Sequence, residues 1–401
     1  MNAWMENLLL LTFVAYGLAS IAFVVAVVGR KRRSGEENHV RRWGRAGIVL
    51  TIAGAAVQVM FIISRFLMGG RSIAASMFEF TAFLAFALVL AFILIYYLYR
   101  TPALGAFVLP LAVVLLAYAS VFPKEVRPLI PALQSYWLHI HVTLAALGEG
   151  AFAVGFIAGL IYLIRVVGTR RQSAHARFLE LTLVLVVLFV GYILVSFLFA
   201  GLGYEAAIQH TVNGETILQE YSLPPLIGPA GGEVVKMDPF LGLDRPLFEA
   251  PSWLKGEKAA SKANTIFWSI IAGLILYGLF RALARKRICE SLHPLVKNLD
   301  PELVDEIAYR AIAIGFPIFT LGGLIFASIW AHYAWGRFWG WDPKEVWALI
   351  TWLFYSAYLH LRLSRGWLGL KSSWMAVGGF VILMFNLIAI NLVFAGLHSY
   401  A

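Results

Sequence analysis

Ten separate runs of apolar residues limit how this chain can fold more than any other feature. A helix needs about 20 apolar residues to cross the roughly 30 Å hydrocarbon core of a bilayer, and in lipid every backbone N–H and C=O group must be satisfied internally. The runs therefore predict an all-α polytopic membrane protein with about ten transmembrane helices. They lie near residues 8–28, 46–68, 73–99, 103–121, 136–164, 178–202, 264–282, 310–330, 346–363 and 373–395.

The charged residues support this class and predict an orientation. Only 13% of the residues are charged, which is about half the fraction of soluble domains. The net charge is +10, but 21 of the 32 lysines and arginines lie in alternate loops, so we do not interpret them as a nucleic-acid-binding surface. Because Lys and Arg collect in cytoplasmic loops, both termini are predicted to lie outside. The first run is followed, not preceded, by basic residues, and it is expected to remain as a helix rather than be cleaved as a signal peptide.

The longest predicted outer segment separates two groups of helices. Residues 203–263 contain TVNGETILQEY, in which Asn-Gly between alternating residues favours a β-hairpin. We expect either a small strand-containing extracytoplasmic lobe or ordered loop, or a linker without structure. The chain then divides into N-terminal membrane helices at 1–202, the lobe or loop at 203–263, and C-terminal membrane helices at 264–401.

Six of the 13 tryptophans lie in WAHYAWGRFWGWDPKEVWALITW, residues 330–352, here called the tryptophan-rich segment. An interfacial belt would spread its rings over all the helix ends, so this clustering favours a binding role. Asp342 as N-cap, Pro343 at the first helical position and Glu345 three residues after the cap predict a capping box that begins the ninth span. The remaining rings predict an aromatic surface for a large flat apolar ligand with a polar edge. They are Trp335, Trp339, Trp341 and Trp347.

Four histidines lie in or beside predicted spans, where an ionisable side chain is a functional candidate. His139 and His141 are near the outer end of the fifth span, but two positions on a helix are about 200° apart, so they cannot ligate one metal from the same face. His398 follows the tenth span, and His360 lies near the inner end of the ninth. Each is either a neutral hydrogen-bonded histidine or a ligand, and neutral imidazoles from two helices suit the axial positions of a haem iron.

The other ionisable residues carry weaker signals. His332 is a secondary ligand candidate, and four further histidines are expected to be solvated: His39, His175, His210 and His293. Glu79 is expected to pair with Arg65 or Arg71, either as a structural ion pair or as part of a site that binds ligand carboxylates. Glu149 lies inside a span, and the sequence assigns it no role. The single cysteine, Cys289, excludes an internal disulfide, so any thiol chemistry belongs to a partner.

The tryptophan-rich segment, with WGRFWGWDPKEVWALITW followed by YLHLR, resembles the WWD signature of haem-handling cytochrome c biogenesis proteins, most closely the CcsA/ResC type of System II. The similarity continues in LDPELVDEIAYRAIAIGFPIFTLGGLIFASIWA, LQSYWLHIHV, GRSIAASMFEF and NLVFAGLHSYA, and reaches nearly all of the chain apart from residues 178–282. The resemblance implies an integral protein of a bacterial plasma membrane or thylakoid-type membrane, with the tryptophan-rich segment on the extracytoplasmic side.

The resemblance also implies a function. It describes a protein that receives haem b from the cytoplasmic side and presents it outside for covalent attachment to the CxxCH motif of apocytochrome c, as a subunit of a holocytochrome c synthase (haem lyase). It implies His141 and His398 as external axial ligands, and His360 as the ligand of a transmembrane haem site. A CcsB/ResB-like membrane subunit would supply the second transmembrane histidine, and a thiol-reducing partner is compatible with the chemistry. The implied haem-contacting residues also include Trp335, Trp339, Trp341, Asp342 and Trp347.

Two other functions stay open at this stage. One is a b-type cytochrome subunit that transfers electrons through permanently bound haem. The positions of His141 and His398 at or beyond the outer edge argue against it, because such haems are usually ligated within the bundle. The other is a transporter of haem or another flat amphiphile.

Overall fold

The computed structural model describes residues 3–28, 36–69, 76–125, 134–212, 214–251 and 258–390. Twelve α-helices form within these ranges. They are α1 (Ala3–Val28), α2 (Glu36–Gly69), α3 (Met77–Tyr99), α4 (Pro102–Ala119), α5 (Tyr136–Val167), α6 (Ala174–Gly201), α7 (Ala259–Ala284), α8 (Ile288–Val296), α9 (Pro301–Phe319), α10 (Ala327–Trp335), α11 (Pro343–Arg365) and α12 (Leu370–Phe385). Two π-helical segments extend this set, at Thr320–Phe326 and Asn386–Ile390.

The predicted fold class is confirmed. Within the described ranges, nine helical stretches are long and apolar enough to cross a membrane, one of them running without a break from Pro301 to Trp335. The remaining predicted span, the ninth in chain order, is α11, a helix of 23 residues. It is not among those nine, yet at 1.5 Å per residue it is about 34 Å long, enough to cross a bilayer. Its charged residues lie in its first and last turns.

The chain forms two compact units, residues 1–176 with 292–401, and residues 177–291. The first unit is built around α5, which packs against α3, α9, α12 and the π-helical segment at Thr320–Phe326. Glycines of α5 allow this close packing. Among the candidate spans of the described residues, α5 is the most enclosed, with 83% of its apolar 18-residue stretch buried. Phe152 of α5 stacks on Tyr355 of α11 with ring centroids 3.7 Å apart.

Two local residues begin α9 at its N-terminus. Asp300 caps α9 by accepting a hydrogen bond from the backbone N–H of Glu302 at 3.0 Å, and Pro301 takes the first helical position. From this cap the helix continues directly into the membrane span, which runs without a break to Trp335.

The second unit contains the predicted strands. Strands β1 (Ala206–Val212) and β2 (Glu215–Tyr221) form an antiparallel hairpin in which Val212 pairs with Glu215, as the Asn-Gly pair predicted. The unit also contains β3 (Ile227–Gly228), β4 (Glu233–Met237) and β5 (Phe248–Glu249), and its sheets have the order β2-β1-β4 and β3-β5. The apolar faces of these strands pack on α6 and α7 around Phe199 and Trp268. The predicted division of the chain had assigned α6 to the N-terminal helices and α7 to the C-terminal helices.

One histidine expectation is wrong. His210 is not solvated: it is only 5% exposed in strand β1, and neither ring nitrogen has a hydrogen-bond partner. A strand alternates its faces, and this position falls on the face that packs inward. His39 bonds through Nε2 to the carbonyl of Val25 at 3.1 Å, while His175 is exposed and stacks on Trp374.

Candidate functional site

The tryptophan-rich segment forms a turn between two helices. Helix α10 ends at Trp335, with Gly336 in the left-handed conformation at φ +70°, and α11 begins at Pro343. Trp341 also has a positive φ of 58° and is 71% exposed. A bulky residue rarely adopts this conformation, so the segment holds an aromatic ring at the surface in a strained backbone geometry.

The predicted capping box is present. The side chain of Asp342 accepts a hydrogen bond from the N–H of Lys344 at 3.0 Å, and the Glu345 carboxylate accepts from the N–H groups of Asp342 and Gly340 at 3.2 and 2.7 Å. Asp342 is buried. Its role in the described structure is thus to begin α11 and to fix the turn that carries the tryptophans.

His141 is held by a contact from a distant part of the chain. Its Nδ1 lies 2.9 Å from the carbonyl oxygen of Gly322, so that nitrogen carries the proton and donates. Nε2 is then the basic ring nitrogen, the arrangement found in metal-ligating histidines whose other nitrogen donates to a carbonyl. The ring also stacks on Trp330, with centroids 5.7 Å apart and planes at 15°.

Gly322 has a specific reason to be glycine. It lies in the π-helical segment Thr320–Phe326, and a Cβ added to it would come within 2.3 Å of the backbone nitrogen of Ala145. Helix α5 and the π-helical segment therefore touch backbone to backbone. This approach brings the Gly322 carbonyl to His141, and π-helical turns inside α-helices often mark functional sites.

His141 lines a pocket that is open to solvent and has a cavity volume of about 180 Å³. We call it the His141 pocket. Its walls are mostly apolar and aromatic, as in sites for small molecules. They are formed by Ser76, Met77, Phe80, Leu138, His141, Val142, Ala145, Glu149, Phe319, Gly323, Ala327, Ser328, Trp330, Ala331, Phe338, Trp339, Lys344, Glu345, Ala348, Asn386 and Leu387.

Two charged side chains of opposite sign line this pocket besides the capping residue Glu345. Glu149 lies two turns along α5 from His141, and its Oε2 atom is enclosed and has no hydrogen-bond partner. Lys344 lies in the first turn of α11, and it is the charged group that acts on Glu149. The sequence did not assign a role to either residue. The sequence showed that Glu149 lies in an apolar, glycine-rich helix. The side of the helix that faces the pocket, however, is decided by packing between helices.

The predicted site residues are only partly brought together. His141 and Trp339 line the pocket, whereas Trp335 packs edge-on against Trp330 at 4.8 Å and Trp347 packs on Phe385 at 4.5 Å. Trp341 is at the surface, 6.0 Å from Trp339. His398 lies outside the described residues.

The remaining histidine candidates face elsewhere. His360 is exposed near the far end of α11, sixteen residues and so about 24 Å along the helix from Lys344. His139 contacts Phe66 of α2 with centroids 6.0 Å apart, on a different side of α5 from His141. His332 is exposed and stacks on Phe338 at 4.4 Å.

The Glu79 carboxylate has a structural role. It pairs with Arg65, which also donates to the carbonyl of Lys124 at 2.9 Å, and both side chains are buried. Arg71 lies outside the described residues. Within the described ranges, no group of three or more His, Cys, Asp or Glu side chains is placed to hold a bare metal ion.

Comparison with known proteins gives a consistent result. The family model described as "Cytochrome C assembly protein" matches residues 74–205 and 262–398. The match includes α6 and α7, which the similarity of the motifs did not reach, and leaves out the strands between them. It contains every residue that lines the His141 pocket.

Relatives of similar length match most of the chain. The cytochrome c biogenesis protein CcsA of Rippkaea orientalis is 29% identical over 361 residues, which are 89% of this chain and 87% of that protein. CcsA of Nostoc punctiforme is 31% identical over 305 residues, 75% and 72% of the two chains. CcsA of Synechococcus elongatus is 30% identical over 341 residues, 84% and 81%. An integral membrane chain with this coverage belongs to the cytochrome c assembly protein family, as a CcsA-type cytochrome c biogenesis protein.

Proposed function

We propose that this protein presents haem in the His141 pocket for covalent attachment to apocytochrome c. The observation that carries the proposal is the bond from His141 Nδ1 to the Gly322 carbonyl, which orients the imidazole as an iron ligand at the wall of an aromatic pocket. Family membership supports the coarser role in cytochrome c maturation. Haem is here the cargo of the protein and a substrate of the reaction.

The pocket fits haem in its chemistry. Porphyrin is flat and apolar across its faces, and the walls offer the rings of Trp330, Phe338 and Trp339, which suit stacked and edge-on contacts. His141 would supply one axial ligand and His398 the second. The described chain reaches the pocket wall at Leu387, eleven positions before His398.

The chemistry needs positioning rather than an acid or base from this chain. Each cysteine thiol of CxxCH adds across one vinyl group, with sulfur bonding to one carbon and hydrogen to the other, so the addition itself consumes no oxidant or reductant. The protein's contribution is to hold the vinyl edge accessible and to hold the iron through histidine. The histidine of CxxCH would then replace one of the axial ligands as the product leaves.

Haem would enter through a second site at His360. This side chain is exposed near the end of α11 that is farther from the capping box. It belongs to a stripe of exposed residues at helical spacing. The described residues of this chain leave that stripe uncovered. The stripe consists of Ile350, Leu353, Ala357, His360 and Ser364. An exposed histidine on an otherwise apolar helix face suits a partner helix that provides another histidine, so we assign this face to a CcsB/ResB-like subunit.

The proposal predicts that His141→Ala weakens haem binding by at least about tenfold, which corresponds to about 1.4 kcal/mol. Absorption spectra of the purified full chain in detergent measure this, and added imidazole should restore the histidine-ligated spectrum. His139→Ala is the matched control, because His139 faces α2 from the same turn of α5. An unchanged spectrum in His141→Ala would show that the iron ligand lies elsewhere.

The same proteins test delivery. Co-expression with the partner subunit and a CxxCH reporter should give covalent haem staining that His141→Ala and His360→Ala abolish, and that His175→Ala, an exposed histidine elsewhere, leaves unchanged. His360→Ala should also lower the amount of haem that reaches the His141 pocket. Haem that purifies stoichiometrically with the chain and is never transferred would instead indicate a b-type electron carrier.

A further inference from the structure

Glu149 is a half-buried charged residue, and packing alone does not explain its place in the structure. Its Oε2 atom is enclosed in the protein without a hydrogen-bond donor, and the residue lines the His141 pocket. Enclosing a carboxylate oxygen without a partner is energetically unfavourable, and a buried polar group left unsatisfied in a native structure calls for an explanation. A missing ligand group is such an explanation.

Lys344 belongs to a different helix that lines the same pocket. The first turn of α11 brings it to the pocket, although its backbone N–H is already used by the Asp342 cap. A helix N-terminus favours negative rather than positive side chains, so a lysine in this turn is not there to stabilise the helix. The most polar part of an otherwise apolar pocket therefore combines an ammonium group and an incompletely bonded carboxyl group.

Haem carries two chemically distinct edges, one with two propionate carboxylates and one with two vinyl groups. His141 and Glu149 are eight residues apart on α5, a rise of about 12 Å. They lie on the same side of the helix as Ala145, between them, since all three line the pocket. A porphyrin whose iron is held by His141 can thus direct one edge along α5 toward Glu149 and Lys344.

Resting on the haem function proposed above, we propose that Lys344 and Glu149 form a carboxylate-binding subsite that receives the propionate edge of haem. The Lys344 ammonium pairs with one propionate. The Glu149 carboxyl and the second propionate share one proton in an O–H···O hydrogen bond, as facing carboxyl groups do. With the propionates held at this end, the vinyl edge points away from it, toward the thiols of the incoming polypeptide.

The subsite gives these residues a positioning role that is separate from iron ligation. His141 fixes the iron but leaves the porphyrin free to rotate about the iron–nitrogen bond. Lys344 and Glu149 would select the rotation in which the reactive edge is exposed. Charge-assisted hydrogen bonds contribute about 1.5–3 kcal/mol, so the subsite is expected to raise affinity for the free acid by roughly ten- to hundredfold.

The test compares haem with haem dimethyl ester, in which both carboxylates are blocked. The full chain in detergent is titrated with each, and the Soret band reports binding and ligation. Wild type should bind haem at least about tenfold more tightly than the ester. Lys344→Met and Glu149→Leu should lower haem affinity and leave ester affinity unchanged. Glu149→Gln, which still donates a hydrogen bond, should retain much of the preference.

Lys371→Met is the matched control, because Lys371 is exposed, lies over the ring of Trp367 and is remote from the pocket lining. Equal affinity of wild type for both ligands, or an equal loss for both in Lys344→Met, would overturn the subsite and indicate that the two residues only stabilise the fold. If neither ligand gives a histidine-ligated spectrum in wild type, the proposed haem function fails instead, so the two failures are distinguishable.

Discussion

At the scale of single residues, His141 depends on a contact that local sequence does not reveal. Gly322, the residue whose carbonyl it meets, is 181 positions away, and only the packing of α5 on the π-helical segment brings the two together. The tandem histidines of α5 could be separated by helical geometry alone, which correctly placed them on different sides. The sequence pattern did not indicate which of the two histidines faces the pocket. The family resemblance was what favoured His141.

Gly322→Ala is expected to disturb this contact. The added Cβ would lie 2.3 Å from the Ala145 nitrogen, so the backbones must separate, at a cost of about 1–3 kcal/mol. Both thermal stability in detergent and the spectrum of bound haem should change, since His141 loses its acceptor. In Gly17→Ala, where a Cβ meets nothing within 4 Å, stability should be unchanged or slightly higher. Equal behaviour of the two variants would contradict the close approach.

At the scale of elements, helix ends and the hairpin were predictable because their determinants are local. The residues that cap α9 and α11 lie within four positions of one another, and the Asn-Gly pair specifies a two-residue turn between β1 and β2. The apolar runs likewise predicted most helix ends to within about five residues, whereas α2 and α9 begin about ten residues before their runs. The two π-helical segments were not predictable, since they are imposed by packing between helices, and the burial of His210 followed from tertiary contacts of its strand.

The cap on α11 gives a prediction about Asp342, which the resemblance places among the haem-contacting residues. Asp342→Ala should lower the stability of the purified protein by about 1 kcal/mol and reduce haem binding through displacement of the tryptophan-rich segment. Asp342→Asn should retain both properties, because Asn is an equally good N-cap. Thermal unfolding and Soret titration measure the two effects. If Asn is as damaging as Ala, the carboxylate has a chemical role beyond capping.

At the scale of the whole molecule, membership of the family and the all-α membrane fold followed from the sequence, while the sidedness rests on the distribution of basic residues. The strands of the second unit are predicted to lie outside the cytoplasm, and the loop that follows α7 inside. This loop contains Lys286, which is exposed, and precedes Cys289. Orientation is the property on which the proposed direction of haem delivery depends.

Cysteine labelling tests this orientation. In spheroplasts, a membrane-impermeant maleimide should label Glu233→Cys in strand β4, whereas Lys286→Cys should react only after permeabilisation. The native Cys289 should stay silent in both cases, because burial, with Glu180 nearby, raises the pKa of its thiol to about 12. At neutral pH it therefore remains protonated, and the thiolate is the reactive form. The reverse pattern of labelling would invert the topology.

The π-helical turn at Thr320–Phe326 makes the site sensitive to the number of residues as well as to their identity. Such a turn holds an extra residue relative to an α-helix, whereas a residue removed from a regular α-helix rotates everything beyond it by about 100°. Loss of one position within Thr320–Phe326 would let this stretch close into an α-helix and leave Trp330 on its present side. Deletion of Ile329, which lies in α10 just before Trp330 and does not line the pocket, would instead turn Trp330 away from the His141 ring while every side chain that lines the pocket is retained.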